Sequence, residues 1–237
     1  MKTEHTRNDG RCENSIRPVE SEQGSLNKAD GSAKFSQDKS KVLAAVYGPI
    51  EVNSARKEKI LKSYVEVTFT PAFGNTNYID KEKELLIKNA VESMILTTLY
   101  PRTQISVILQ VFSDDGSIVS CAINAACLAL LDAGIEMNGL LGSVTLCFNN
   151  DGSIYVDPST EEENQSKAIA IYSFSSINKN IVLSKTIGTL TEDQYFKGLD
   201  KASESCDLII SFIKLAVKNR IMGTNYNENE NQNQNEN

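Results

Sequence analysis

The chain has 237 residues and a mass of 26.1 kDa, which suits one large domain or two small lobes. Its net charge of −7 disfavours non-specific binding of nucleic acid by the chain as a whole, so any RNA contact should be local or shared with partners. The single histidine, His5, lies in a polar segment, which disfavours Ser-His-Asp, Cys-His and histidine-ligated metal chemistry.

Membrane and disulfide chemistry are also disfavoured. No apolar run approaches the roughly 20 residues that span a bilayer, and the first residues lack the apolar core of a secretory signal. The five cysteines form no CxxC pair, and four of them lie in apolar surroundings. We therefore expect reduced core thiols and a cytosolic or nuclear setting. These four are Cys121, Cys127, Cys147 and Cys206.

Both ends of the chain are polar. Residues 1–25 are mixed in charge, and residues 222–237 are rich in asparagine, glutamine and glutamate. Neither segment carries enough apolar side chains to build a core. We expect two disordered tails around one folded domain of residues 26–221.

The first half of this domain is predicted to be mainly strands. Residues 32–35, 41–48 and 63–70 have strand patterns, and the continuous apolar run at 42–46 favours a central strand. Residues 80–99 have the apolar spacing of a helix, with Asp80 as its cap and Pro101 ending it. Residues 105–111 alternate apolar and polar side chains and predict a further strand.

The next helix is predicted to be the centre of the fold. Between residues 118 and 131 only Ser120 and Asn124 are polar. An acidic turn that ends in Gly116 precedes this helix, and Ser117 can cap it. A helix that is apolar on all sides must be enclosed, so the other elements should pack around it.

The second half is predicted to contain a hairpin over residues 143–156, strands at 168–174 and 181–185, and a final helix. Thr191 and Gln194 form the capping box of that helix. The hairpin is apolar enough to need cover on both faces, which we expect a partner subunit to supply. Because strands and helices do not alternate strictly, the order of elements predicts an α+β fold.

Several stretches together resemble the RNase PH family, and in particular the branch that forms the ring of the eukaryotic RNA exosome. The resemblance covers roughly residues 27–220 and implies two β-sheets with helices packed between and outside them. It is carried by GSAKFSQDKSKVLAAVYGP, YPRT, DDGSIVSCAINAACLALLDAGI and DGSIYVDPST.

This resemblance also implies partners. In that branch six such subunits pair as heterodimers and close a ring around a channel for single-stranded RNA, with cap subunits on one face. The expected partners are other RNase PH-type exosome subunits, one of them as heterodimer partner, together with cap subunits and single-stranded RNA. The expected localisation is the nucleus, nucleolus and cytoplasm.

Active members of the family phosphorolyse RNA from its 3′ end, and a Gly-Thr-Arg turn at the start of the central helix holds the phosphate. Here that turn begins at Gly116 and Ser117, with Ile118 in the place of the threonine and Val119 in the place of the arginine. The glycine and the helix dipole remain. A dipole alone contributes about 0.3–1 kcal/mol, less than charge-assisted hydrogen bonds from a guanidinium.

Two further elements of the family site also differ. Asp157 and Glu163 match the positions of the catalytic carboxylates, but an Asp-Pro turn followed by a solvated acidic face is the favoured explanation of them. Lys81 replaces an RNA-clamping arginine and lacks its planar fork. Arg102 in YPRT matches a family arginine, and it can instead bond carbonyls at a helix-to-strand corner.

A basic segment at residues 53–62 is either a solvated loop or an RNA-facing one. The resulting prediction is a non-catalytic exosome ring subunit without a cofactor or metal. Two alternatives stay open: an active 3′–5′ exoribonuclease, phosphorolytic or hydrolytic with Mg²⁺ at Asp157 and Glu163, and a free homo-oligomeric RNA-binding module. The RNA-binding candidates are Arg56, Lys57, Lys59, Lys81 and Arg102.

Overall fold

The computed structural model describes residues 7, 10–52, 54 and 56–235, so His5, Asn53 and Ala55 lie outside the described part of the chain. The α+β class and the two-sheet architecture are confirmed. The elements are β1 (Val19–Gln23), β2 (Gly31–Gln37), β3 (Ser40–Glu51), β4 (Tyr64–Thr70), α1 (Tyr78–Met94), a 3-10 turn (Thr97–Leu99), β5 (Thr103–Ser113), α2 (Ile118–Asp132), β6 (Leu141–Phe148), β7 (Ile154–Val156), α3 (Thr160–Gln165), β8 (Ala168–Ser175), β9 (Ile181–Gly188) and α4 (Glu192–Asn235).

The strands form two sheets. The first has the order β1-β2-β3-β5-β4 and is antiparallel except where β4 runs parallel to β5. The second has the order β7-β6-β8-β9 and is antiparallel throughout. Because β3 lies between β2 and β5, the apolar run at 42–46 does form a central strand, as predicted.

Helix α2 lies between the two sheets. It contacts β2 and β3 on one side and β6 on the other, and every residue from Ile118 to Leu130 is buried. Helix α4 packs on the outer side of β6, which leaves all eight residues of β6 buried. The expectation that a partner subunit must cover the 143–156 hairpin is therefore wrong, since α2 and α4 of the same chain cover it.

The two polar residues of α2 bond to the second sheet. Asn124 Nδ2 donates to the Ser143 carbonyl at 3.0 Å, and the Ser143 N–H donates to Asn124 Oδ1 at 2.9 Å. The amide side chain of Asn124 thus supplies the hydrogen-bond partners of the buried Ser143 N–H and C=O groups, as a neighbouring strand would. The hydroxyls of Ser120 and Thr145 lie 2.8 Å apart in the same buried layer.

Helix α1 is shorter than predicted. It begins after Asn77, the N-cap residue, and Asp80 is the third helical residue, whose carboxylate accepts from the Asn77 N–H at 3.0 Å. It ends at Met94, well before Pro101, because Ile95 is extended and forms a bridge with Met137. A tertiary strand contact, rather than the proline, therefore ends the helix.

The segments expected to be disordered contain regular structure in their described parts. Strand β1 pairs antiparallel with β2, with Val19 opposite Gln37, and Arg17 before it is buried. The expectation of disorder is wrong for these residues. Helix α4 continues to Asn235, and residues 236–237 lie outside the described part.

The cysteine prediction agrees with the structure. Cys121, Cys127, Cys147 and Cys206 are buried free thiols, whereas Cys12 is exposed. Burial raises the pKa of Cys127 to about 11 and that of Cys147 to about 12, so both thiols stay protonated at neutral pH. Among the described residues, no helix is both long enough and apolar enough to cross a membrane.

Candidate functional site

A cleft of about 180 Å³ lies between α1, the start of α2 and the face of β8 and β9. Ile118 and Val119, the residues in the places of the family threonine and arginine, contribute apolar side chains to its wall. The turn at the start of α2 therefore lies beside a cleft. The polar residues that line it are Glu82, Lys83, Asp114, Ser117, Thr145, Glu163 and Lys185.

The turn before α2 requires glycine at position 116. Gly116 has a φ of +84°, and a Cβ there would lie 2.6 Å from the Pro158 carbonyl oxygen. Ser117 follows in the left-handed conformation with a φ of +56°. The start of α2 is therefore pressed against the corner at residues 157–160, which fixes the position of its first N–H groups.

The first N–H of this helix start is bonded by a carboxylate of the same chain. The Ser117 N–H donates to Glu163 Oε1 at 2.7 Å. Ser117 occupies the predicted N-cap position, but its hydroxyl donates to the Pro158 carbonyl instead of capping the helix. Burial raises the pKa of Glu163, the Ser117 N–H opposes that rise, and the charge of Asp114 adds to it.

Asp157 faces a different partner. Its Oδ1 accepts from Arg17 Nη2 at 2.7 Å, and its Oδ2 accepts from Arg17 Nε at 2.9 Å and from the Arg17 backbone N–H at 3.0 Å. Asp157 is 1% exposed and Arg17 is 4% exposed. Burial alone would lower the pKa of Arg17, but the hydrogen bonds and charge of Asp157 outweigh it and raise that pKa.

Arg17 also bonds the turn before α2. Its Nη1 donates to the Asp115 carbonyl at 2.8 Å, and its Nη2 contacts the Gly116 carbonyl at 3.3 Å. The guanidinium of Arg17, which precedes β1, therefore hydrogen-bonds both the turn before α2 and the corner after β7. Sequence reasoning missed this residue because it assigned residue 17 to a tail.

The acidic run after Asp157 is the first turn of a short helix, α3. Ser159 caps it, and Glu162 returns the capping contact by accepting from the Ser159 N–H at 3.0 Å. The sequence contains this signal, a serine three residues before a glutamate, although the sequence analysis predicts only a solvated acidic face here. Glu161 is exposed, as a solvated acidic face predicts, whereas Glu163 is turned inward to α2.

Asp157 and Glu163, which the sequence analysis treats as one pair of carboxylates, therefore bond different partners. Asp157 bonds Arg17, while Glu163 bonds the start of α2 and lines the cleft with Asp114. Asp114, Lys83 and Lys185 were missed as cleft residues, because their positions depend on how α1 and β9 pack. Among the described residues, no cluster of three or more His, Cys, Asp or Glu side chains is arranged to hold a metal ion.

The basic candidates gather at one surface, with one exception. Lys57 Nζ lies 2.5 Å from Glu66 Oε1, and this hydrogen bond raises the pKa of Lys57. The Arg102 N–H donates to the Lys59 carbonyl at 3.2 Å, so the corner at YPRT adjoins the basic loop.

Arg56 is exposed on the same loop. Lys81 is not part of this group. It lies on the first turns of α1 and pairs with Glu84 at 2.9 Å.

Comparison with known proteins identifies the family. Residues 15–136 match the 3′ exoribonuclease family, domain 1, and residues 139–205 match domain 2 of that family. The chain belongs to the RNase PH family of 3′ exoribonucleases. The matched range begins before Arg17, so the residues that hold Asp157 lie within the family domain.

Named relatives include exosome proteins. The chain is 34% identical over 225 residues to the "Exosome complex exonuclease RRP46 homolog" of Arabidopsis thaliana, covering 88% of this chain and 94% of that protein. It is 31% identical over 216 residues to the "Exosome complex component RRP46" of Saccharomyces cerevisiae, covering 86% and 96%. The crystal structure of rice Rrp46 superposes with a TM-score of 0.85 at 36% identity, covering 90% of this chain and all of that one.

Proposed function

We propose that this RNase PH-family chain is a non-catalytic subunit of the RNA exosome ring, where it builds the scaffold and contributes to the path of single-stranded RNA. The names of its relatives support membership in that complex. Its partners are then other RNase PH-type subunits, one of them in a heterodimer, and the cap subunits. The buried free thiols fit the proposed nuclear, nucleolar and cytoplasmic setting.

The contact between Glu163 and Ser117 carries the proposal that the site is inactive. A helix N-terminus attracts an anion through its free N–H groups and its dipole. Here the carboxylate of Glu163 takes that place at 2.7 Å, and Val119 supplies no guanidinium for a second anion. Inorganic phosphate would therefore have to displace a carboxylate of the protein, and the two lysines of the cleft, Lys83 and Lys185, are already paired with Asp80 and Glu82.

The carboxylate of Asp157 is also engaged in a structural contact. Both of its carboxylate oxygens accept hydrogen bonds from Arg17, and the pair is almost completely buried. Mg²⁺ would have to compete with this guanidinium for a buried carboxylate, and leaving Arg17 without its partner costs several kcal/mol. This argues against the Mg²⁺ site at Asp157 and Glu163.

A phosphorolysis assay tests inactivity directly. Purified protein and a labelled single-stranded RNA are incubated with inorganic phosphate, with a phosphorolytic RNase PH enzyme as positive control. We expect no nucleoside diphosphates from this chain. Phosphate-dependent trimming that disappears in a Val119→Glu variant would contradict the proposal.

A second candidate function, metal-dependent hydrolysis, has one observation in its favour. Asp114 and Glu163 both line the cleft, and carboxylates in one cleft can hold Mg²⁺ and activate water. Nucleoside monophosphates released with Mg²⁺ in phosphate-free buffer, and lost in Asp114→Asn, would favour this function. A preparation that shows the same activity with and without this substitution contains a contaminating nuclease.

Ring membership is tested by capture from native extract. A tagged chain should retain RNase PH-type subunits and cap proteins in near-stoichiometric amounts. Recovery of the chain alone, as a stable homo-oligomer, would instead support the free RNA-binding module.

A further inference from the structure

A surface around Tyr64 combines an aromatic ring with three ammonium groups. Lys88 Nζ lies 4.9 Å from the Tyr64 ring centroid, Lys57 Nζ lies 5.4 Å away and Lys59 Nζ lies 5.9 Å away. These residues come from three elements, the loop before β4, the first residue of β4 and the middle of α1. We call Tyr64, Lys57, Lys59 and Lys88 the Tyr64 cluster.

Cations outnumber carboxylates at this surface. Lys57 pairs with Glu66 and Lys59 pairs with Glu92 at 2.9 Å. Lys88 has no carboxylate oxygen within 4.0 Å in the part of the chain that the structure describes. The same holds, within the described residues, for Arg56 and Lys62 on the adjoining loop. A local positive surface of this kind on a chain of net charge −7 favours an anionic ligand.

A tyrosine ring beside ammonium groups suits an anion that also carries aromatic rings. Tyr64 is half-buried, so its side chain is partly accessible beside the ammonium groups. Single-stranded nucleic acid presents unstacked bases next to phosphates, and proteins bind it with aromatic rings for the bases and cations for the backbone. An acidic peptide would use the ammonium groups but would gain little from the tyrosine ring.

We propose that the Tyr64 cluster is a binding site for single-stranded RNA, in which Tyr64 stacks on a base and Lys57, Lys59 and Lys88 contact the flanking phosphates. This rests on the RNA-path part of the proposed function. It adds Tyr64 and Lys88, and it leaves out Lys81, which lies about 10 Å from Lys88 along α1 at 1.5 Å per residue and is paired with Glu84.

When RNA binds, its phosphates replace protein carboxylates as the partners of two of the lysines. The phosphates replace Glu66 and Glu92 as partners of Lys57 and Lys59 and supply the counter-ion that Lys88 lacks. Release of condensed cations from the RNA then drives association, so affinity falls as salt rises. Removing one phosphate contact should lower the slope of log affinity against log salt by about 0.7 for a single strand.

The test uses the full-length chain and a fluorescein-labelled oligouridylate, with affinity measured by anisotropy over a series of salt concentrations. The variants are Lys88→Gln, Tyr64→Leu and, as a matched control on the same helix, Lys81→Gln. We expect Lys88→Gln to lower the salt slope by about 0.7 and Lys81→Gln to leave it unchanged. Tyr64→Leu should weaken binding about tenfold.

Two further measurements separate RNA from other ligands. Labelled polyglutamate should lose affinity in Lys88→Gln but keep it in Tyr64→Leu, because it has no base to stack. Ultraviolet crosslinking of oligouridylate to the unchanged chain should mark the peptide that contains Tyr64, and this readout needs no folded variant.

Three results would overturn the proposal: no oligouridylate binding by the unchanged chain at low salt, equal slopes for Lys88→Gln and Lys81→Gln, or equal losses of RNA and polyglutamate affinity in Tyr64→Leu. None of them affects exosome membership or the absence of phosphorolysis, which capture and the nuclease assay test separately. Conversely, release of nucleoside diphosphates would leave this site standing.

Discussion

Arg17 and Asp157 form a buried ion pair in which two guanidinium nitrogens, Nη2 and Nε, donate to the two carboxylate oxygens at 2.7 and 2.9 Å. The two residues are 140 positions apart in the chain, so the pair joins the segment before the first strand to the corner after β7. The pair engages Asp157, which the family resemblance matches to a catalytic carboxylate of active members, in a structural contact. This geometry leads to the first prediction.

Asp157→Ala should destabilise the fold by about 3–5 kcal/mol, because it leaves the Arg17 charge buried without its partner. Urea unfolding followed by circular dichroism measures the change. Asp115→Ala is the matched control, since Asp115 Oδ2 lies 4.0 Å from Arg17 Nη1 and its side chain is 30% exposed. We expect the control to cost less than about 1 kcal/mol. Equal effects of the two variants would mean that the buried pair adds nothing.

Glu163 should make stability depend on pH. Its pKa in the folded protein is raised above the ordinary value of 4.5, mainly by burial. A raised carboxyl pKa means that the folded state binds more protons than the unfolded state between the two pKa values. Its contribution to stability is therefore fully present below about pH 4.5 and is lost as pH rises through the folded pKa.

Glu163→Gln removes this charge and keeps an oxygen for the Ser117 N–H. We expect the variant to be at least as stable as the unchanged chain at neutral pH and to lose the decline above pH 4.5. Glu163→Ala should instead cost about 1–3 kcal/mol, since the Ser117 N–H loses its acceptor. Thermal midpoints measured across pH distinguish the three proteins. A Gln variant that is less stable than the parent at neutral pH would contradict the assignment.

Asn124 should be essential for the packing of α2 against β6. Asn124→Ala leaves the N–H and C=O of Ser143 buried without their present partners, at a cost of about 1–3 kcal/mol for each group. Ser173→Ala is the control, because it removes one hydroxyl that donates to Ser143 Oγ at 2.9 Å. We expect the control to cost about 1 kcal/mol. Hydrogen exchange at the Ser143 amide provides a local readout, and an unchanged rate in Asn124→Ala would refute the prediction.

The isolated chain should associate with itself through the surface formed by the start of α1 and the loop before it. Phe73 is 90% exposed, Tyr78 is 84% exposed and Leu85 is 57% exposed. Exposed apolar side chains of this size on adjoining segments are typical of interaction surfaces. We expect a thermal midpoint that rises with protein concentration, as mass action requires.

Tyr78→Lys should weaken this association and shift the sedimentation profile towards monomer. Leu208→Lys is a comparison variant, because Leu208 is 63% exposed but lies on α4. A stable monomer at every concentration, or equal effects of the two substitutions, would reject this surface.

Much of the fold was predictable from the order of residues. The apolar run of α2, the central strand at 42–46 and the capping box at Thr191 and Gln194 are local patterns with a single favourable structure. Thr191 and Gln194 do form the predicted reciprocal contacts. The resemblance to the family added the prediction of two sheets around a buried helix. A chain that shares the family's apolar pattern has to bury it against the same kinds of element.

The site was predictable only in part. The sequence places Ile118 and Val119 where the family motif has a threonine and an arginine, since this is a property of consecutive residues. It could not tell that Glu163 turns towards α2 while Asp157 turns towards Arg17. That choice depends on the corner at residues 157–160, where Gly116 allows the backbone to approach within a distance that a Cβ would block.

By itself, the sequence determined the family, the fold class, the buried helix and the absence of an arginine from the anion turn, because these follow from short-range pattern and side-chain chemistry. Only the tertiary structure decided that residue 17 belongs to the core, that α1 ends at a bridge with Met137, and that three lysines surround Tyr64. Each of these depends on contacts between residues far apart in the chain. Local propensity carries no information about such contacts, since their free energy is gained only once the sheets and helices have packed.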